Sequence, residues 1–283
     1  MKNKSALSLL LFIAAGVLSA QSIDFSGALS RMESAIDSSQ EEFSLQDSYY
    51  LGRSAAAHIL GSYRVYTEKP EITNYLNLIC MALAVNSPSP NWYNGYHVII
   101  LDDPALTAYS TSGGHIFISR GLIELTSSED MLAAVIAHEL AHIQLKHGTA
   151  QIKNDRLMQQ FAQERFRISQ SPASNTGQLF SDTVNEIVQT LLSGGYSQLQ
   201  EFEADSAAVS LLESAGYNPG SLLELLGVLE RLQGYQWASL NKSHPLSFQR
   251  IDNLRRQMIA ARYRSPDNSA ARRARFNRIM ERD

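Results

Sequence analysis

His138-Glu139-Leu140-Ala141-His142 sets two imidazoles four residues apart with a carboxylate beside the first. On an α-helix four residues advance about 400° and about 6 Å, so both rings project from one side, one turn apart, and can reach one ion. Zinc takes imidazole nitrogen at about 2.0–2.1 Å, and a catalytic zinc site usually has three protein ligands and an open fourth position. Glu139 lies beside the histidine pair rather than on it, which suits a base that takes a proton from water activated at the metal. A third ligand is available downstream, where Glu201 and Asp205 are four apart and share a helix face. Glu203 is turned about 160° from Glu201 and is the poorer ligand. The spacing therefore assigns His138, His142 and Glu201 to one Zn2+ per chain. It leaves Asp205, one turn further, to accept the outer N–H of a ligating imidazole and fix its tautomer.

Other candidates are weaker. His147 follows His142 by five residues, a rotation of about 140°, and reads as a cation at the C-terminal end of the helix. The longer pattern HExxHxxGxxH fails, because Leu145 and Gly148 stand where its glycine and third histidine would be. Cys80, the single cysteine, sits among Leu78, Ile79 and Met81 and reads as a core thiol. One cysteine excludes an internal disulfide framework and a cysteine-rich metal cage. His58 and His97 read as ordinary, partly buried residues.

These side chains need elements to position them. Ser127 or Ser128 can cap a helix beginning near Glu129 and Asp130, with the acids in its first turn, running through His147 to a stop at Gly148. Leu132, Val135 and Ile136 are its core anchors. Two β-rich runs precede it, Tyr96 to Leu101 and His115 to Ser119, the second entered through a turn at Ser112-Gly113-Gly114. Apolar spacing predicts further helices over 25–38, 48–63, 72–84, 181–192, 197–214, 221–232 and 246–262, with a long polar helix of few anchors over 150–169 and a loop at 171–177. Ser265-Pro266-Asp267 opens a basic tail with Arg272, Arg273, Arg275, Arg278 and Arg282. That tail reads as a helix packed on the domain with a solvated basic face, with an anionic-lipid contact as the alternative.

The N-terminus has a different character. Lys2 and Lys4 precede an uncharged apolar run from Ala6 to Ala20, ending in the small residues Ser19-Ala20. This is the pattern of a cleaved secretory signal peptide, and it predicts a periplasmic or secreted mature chain without a lipid-bearing cysteine. An uncleaved anchor is the other reading, although the run is short for a bilayer span. Residues 21–265 then form one domain, with a helical part 21–95 and a catalytic core 96–265, and 266–283 form the tail. The chain has 283 residues, a net charge of −4 and 44% hydrophobic residues. That is globular composition with room for a sizeable core, and its sign argues against a general nucleic-acid binder.

HELAH at 138–142, EFEAD at 201–205 and SHPLSFQRI at 243–251 together resemble the zinc metallopeptidases typified by HtpX and the CAAX prenyl endopeptidases. The chain is similar to the soluble, secreted branch that includes the periplasmic protease BepA, without its C-terminal repeats and without the transmembrane helices of HtpX. The likeness runs from about Tyr49 to about Leu254 and includes YYLGR at 49–53 and GGHIFISRGLI at 113–123. It implies a gluzincin site and an α+β, mainly helical, zincin-like domain with a small β-sheet and an HExxH active-site helix. It also marks His244 and Arg250. His244 precedes Pro245, so its backbone is held extended. It can donate to a developing oxyanion, or occupy the fourth metal position and hold the site latent. Arg250 either pairs with Asp205 or a neighbouring acid or is a surface arginine. Thr107-Ala108 and Ser112 replace the usual Asn-Ala and Pro before the glycine turn. The implied activity is hydrolysis of peptide bonds in unfolded or misassembled envelope proteins. Substrate is expected to add as a strand along Gly113, Gly114, His115, Ile116 and Phe117. The alternative is a non-catalytic, chaperone-like binder whose zinc is plugged by His244.

Overall fold

A computed structural model describes residues 45–152, 195–232, 244, 248–260 and 269–281, all within one compact unit, Phe43–Asp283. The expected signal peptide and the expected helices over 25–38 and 181–192 lie outside these residues, as do most of the expected 150–169 helix and the 171–177 loop. In chain order the elements are α1 (Leu45–Ser62), α2 (Pro70–Val85), β1 (His97–Leu101), β2 (Ala108–Ser110), β3 (His115–Ser119) and α3 (Arg120–Leu125). There follow α4 (Glu129–Gln144), α5 (His147–Ile152), α6 (Gln198–Ser214), α7 (Gly220–Arg231), α8 (Phe248–Ala260) and α9 (Ser269–Met280). The chain is mainly helical with a small sheet. Among the described residues no helix is long and apolar enough to cross a membrane.

The core is built around α4. Ser128 caps it, its Oγ accepting from Met131 N at 3.2 Å, and every residue from Glu129 to Ile143 is buried. A helix buried on all sides cannot rely on one apolar stripe, so its polar side chains must be partnered inside the protein. Small residues allow the close approach: Ala133, Ala134, Ala137 and Ala141 of α4 and Ala204 and Ala208 of α6 are all buried in one cluster. α2 and α7 complete the packing with Leu76, Leu83, Leu222 and Leu226.

The sheet has the order β1-β3-β2, with β1 parallel and β2 antiparallel to β3. β2 has three residues, too few for a recognisable alternation of apolar and polar side chains, and was not expected from the sequence. It forms one edge, and β3 is the central strand with both edges paired. Substrate therefore cannot add along His115 to Ser119 without displacing a strand. Gly113 and Gly114 are likewise closed off. A Cβ on Gly114, whose φ is +87°, would lie 2.3 Å from Gly95 O, and one on Gly113 would lie 3.0 Å from Arg53 N and Tyr49 O. Ile116 and Phe117 are fully buried, and the His115 ring lies between those of Tyr49, His97 and Phe117. These five residues bind the sheet to α1 and the preceding loop.

Helix α9 packs on the domain. α9 buries Phe276 in the main core and lays its arginines against the first turn of α4. Arg275 Nε donates to Glu129 Oε2 at 2.7 Å, and Arg272 Nε to Asp130 Oδ2 at 3.0 Å. Glu129 also accepts from the Tyr75 hydroxyl at 2.6 Å, and Arg272 Nη1 reaches Gly216 O at 3.0 Å. Arg273 and Arg278 remain exposed.

Candidate metal centre

Helix α4 presents His138 and His142 one turn apart, and their Nε2 atoms converge to 3.1 Å. Helix α6 delivers Glu201 from its first turn. Its start is set by a capping box in which Ser197 Oγ accepts from Gln200 N and Gln200 Oε1 accepts from Ser197 N. Glu201 Oε2 lies 3.5 Å from His138 Nε2, and Oε1 lies 3.6 Å from His142 Nε2. His244 closes the group, its Nδ1 standing 3.3 Å from His138 Nε2 and 3.0 Å from Glu201 Oε1. One ligand atom from each of the four residues lies within 4.8 Å of the others, and all four are buried.

The donor set and spacing fit zinc. A tetrahedral ion with bonds of about 2.1 Å has ligand–ligand edges of about 3.4 Å, and the observed separations scatter around that value. Two imidazoles with a carboxylate also match the ligand types of catalytic zinc. Among the described residues this is the one cluster of its kind.

The outer faces of these side chains are partnered. Asp205, one turn after Glu201, places Oδ1 3.0 Å from His138 Nδ1. Arg250 of α8 grips the same carboxylate with Nε and Nη2 and reaches Glu201 Oε2 through Nη1 at 2.6 Å. Glu139 is buried, and its Oε1 lies 3.2 Å from His244 Nε2. His244 thus faces the ligand cluster with one nitrogen and Glu139 with the other.

Burial and charge compete at every group. Burial drives the carboxyls of Glu139, Glu201 and Asp205 upward, but the opposing charges win. His244 lowers Glu139, His244 and Arg250 hold Glu201 well below the ordinary carboxylate range, and Arg250 lowers Asp205. Burial lowers His244, yet the carboxylates of Glu139 and Glu201 lift it to about 10. His142 goes the other way, pushed well below the ordinary histidine value by burial and by the charges of His138 and His244.

The structure thus gathers His138, Glu139, His142, Glu201, Asp205, His244 and Arg250 at one point and leaves Gly113 to Phe117 in β3 and the turn that enters it. Two participants carry no readable signal in the sequence. Tyr196 stacks on the His142 ring, with centroids 3.8 Å apart and planes at 16°, although no helical periodicity relates the two. His147 was expected to point away from the site as a helix-end cation. Instead α4 ends at Gln144, Lys146 takes a left-handed φ of 57°, and the reversal brings His147 Nδ1 to 2.9 Å from His142 Nδ1. An uninterrupted helix to Gly148 would turn His147 away from His142, and the break after Gln144 removes that rotation. Cys80 is buried in the core and away from the cluster, as its apolar setting suggests.

Residues 71–258 match the sequence profile of peptidase family M48. The chain is 25% identical over 260 residues to metalloprotease LoiP of Escherichia coli (strain K12), covering 90% of this chain and 97% of that one. It is 24% identical over 193 residues to the beta-barrel assembly-enhancing protease of Yersinia pestis, covering 66% of this chain but 39% of that protein. It is 28% identical over 154 residues to the mitochondrial metalloendopeptidase OMA1 of Schizosaccharomyces pombe (strain 972 / ATCC 24843), covering 54% and 43%.

Proposed function

This chain belongs to peptidase family M48 and is a metalloendopeptidase, and we propose that it acts outside the cytoplasm on unfolded or unassembled envelope proteins, with His138, His142 and Glu201 holding one zinc ion. The observation that carries the reading is the convergence of those ligand atoms at tetrahedral spacing with a buried carboxylate, Glu139, beside them. Bound there, zinc acts as a Lewis acid and makes water nucleophilic near neutral pH.

The chain's own residues supply the rest. Glu139 takes the proton from the attacking water and returns it to the leaving amine. Asp205 holds His138 by its outer nitrogen, and Arg250 holds Asp205 and Glu201 in place. His244, released from Glu139, donates to the oxyanion that develops on the scissile carbonyl. Substrate pairs as an extended strand with the edge of β2 away from β3, where no further strand pairs among the described residues, and Ala108 of β2 lines the same cavity as His138 and Glu139. Leu122, Val135, Leu222, Leu225 and Leu226 give this cavity apolar walls that suit an apolar side chain next to the scissile bond. Folded proteins bury such side chains and unfolded ones expose them, which supports the choice of client. The N-terminal leader pattern and the kinship with the beta-barrel assembly-enhancing protease support the envelope location.

A second reading has its own observation. His244 Nδ1 lies at the fourth corner of the ligand cluster and its Nε2 engages Glu139, so in this conformation one side chain fills both places that water and its base need. A resting enzyme held latent by His244, or a zinc-bearing binding protein, has this geometry.

The test is cleavage of an unfolded, apolar-rich test protein by wild type, by wild type stripped with a chelator, and by Glu139→Gln. Zinc-dependent cleavage lost in Glu139→Gln, with one zinc per chain retained, supports the reading. Cleavage that survives either treatment sinks it.

A further inference from the structure

The ligand His142 has a partner chain on the side away from the metal position. Its Nε2 points inward, 3.1 Å from His138 Nε2, and its Nδ1 points outward to His147 Nδ1 at 2.9 Å. The other nitrogen of His147, Nε2, lies 3.2 Å from Glu203 Oε2. His147 is 4% exposed, whereas the Glu203 side chain is 51% exposed, so the chain runs from the buried cluster to the surface of α6.

Hydrogen-bond chemistry gives this chain one direction. A neutral imidazole carries one N–H and one lone pair. If Nε2 of His142 offers its lone pair to a metal, the proton sits on Nδ1, which must then donate. His147 Nδ1 receives it with its own lone pair, which leaves the His147 proton on Nε2. That proton faces a carboxylate, which can only accept when ionised. Each donor meets an acceptor, and the reverse polarity would set an N–H of His147 against a proton on His142. The backbone supports the arrangement: Lys146 at φ 57° turns the chain after α4, and Gln200 Nε2 of α6 donates to His147 O at 3.4 Å.

We propose that His147 is a positioning residue for the zinc ligand His142, oriented in turn by Glu203, so that the two metal-facing histidines are held from behind by two different chains: His138 by Asp205 and Arg250, His142 by His147 and Glu203. The inference rests on the reading of His142 as a ligand. It assigns a role to Glu203, whose direction on α6 excludes it from the metal itself. It also explains why α4 stops at Gln144, since a continued helix would carry His147 away from His142.

Outer partners of zinc-binding histidines are worth about 10–100-fold in metal affinity. Zinc affinity is measured by competition with a chromophoric chelator on the full chain, with circular dichroism confirming the fold of each variant. His147→Leu should lower affinity by about 10–100-fold. His147→Asn, whose amide oxygen replaces Nδ1 as acceptor, should recover most of that loss, a rescue that a purely structural role would not give. Glu203→Ala should give a smaller loss alone and none in addition to His147→Leu. Wild-type affinity in His147→Leu, equal losses in the Leu and Asn variants, or independent losses from His147 and Glu203 would overturn the proposal. Should His147→Leu fail to fold, Glu203→Ala decides alone, because its side chain is half exposed: undiminished affinity there overturns the relay. The readout needs no cleavage assay, so failure of the endopeptidase reading shows differently, as a wild type that binds zinc and cleaves nothing.

Discussion

Arg250 and Asp205 form a buried two-pronged pair, Nε to Oδ2 at 2.8 Å and Nη2 to Oδ1 at 2.7 Å, while the third guanidinium nitrogen reaches Glu201. All three side chains are at most 3% exposed. The planar fork of arginine matches a carboxylate as no ammonium can. Removing it leaves Asp205 and Glu201 buried with only the neighbouring histidines as partners, and a broken buried pair costs about 3–5 kcal/mol. Arg250→Met should therefore lower the midpoint of urea unfolding strongly, and Arg250→Lys should recover only part of it. A midpoint within error of wild type for Arg250→Met would show that water or another cation takes over.

The place of His244 leads to a test of latency. Its ring spans from the ligand cluster to Glu139. If the ring is a removable plug, His244→Ala should raise the initial rate on an unfolded test protein. If it serves only the oxyanion, the variant should lose about 10²–10³ in turnover, as expected for one lost donor. No cleavage in either protein favours a binding role. Initial rates with one zinc per chain in both proteins separate the three.

The arginines of α9 offer a third test. Arg272 is 6% exposed and pairs with Asp130 in the first turn of α4, and Arg275 pairs with Glu129, whose side chain is wholly buried. Arginines held this way are not free for a lipid surface. Arg272→Met should destabilise by about 3–5 kcal/mol, since it strands Asp130, and it should lower zinc occupancy at elevated temperature before activity at low temperature. Arg273→Ala, at an exposed position, should do neither. Thermal melts with and without zinc give the comparison, and a neutral Arg272→Met would remove α9 as a support of the active-site helix.

Cys80 supplies the pH test. Burial pushes its thiol up to about 12, from an ordinary value of 9.0. The unfolded chain releases this proton above pH 9 and the folded chain does not, so the unfolded state gains. Stability attributable to Cys80 is then fully present below pH 9 and falls by about 1.4 kcal/mol per unit as pH rises toward 12. Between pH 9 and 10.5 wild type should lose stability more steeply than Cys80→Ala, and the thiol should resist a disulfide reagent until the chain is unfolded. Equal slopes would mean the thiolate is tolerated in the core.

The pairing of His138 with His142 on one helix, and of Glu201 with Asp205 on another, was legible because it depends on local geometry. Four residues per step on one helix aligns His138 with His142 and Glu201 with Asp205 wherever those helices are packed, and apolar spacing marks the helices themselves. Three further features were not legible. β2 is three residues long and exists only through its pairing with β3. The roles of Gly113 to Phe117 depend on which strand is central, and strand order is set by contacts between distant segments. His147 was misplaced because one left-handed residue, Lys146, redirects everything after it.

What the residues alone determined is therefore the chemistry on offer: two imidazoles four residues apart with a carboxylate beside them, and a second pair of carboxylates at helical spacing. Only the tertiary structure decided which nitrogen of each ring faces inward, that Arg250 binds Asp205 and Glu201 at once, that His244 spans the cluster and Glu139, and that His147 stands behind His142. The reason is physical. Helical periodicity fixes directions over one or two turns, whereas the distances between α4, α6, α8 and the His244 position are set by close packing of side chains far apart in the chain.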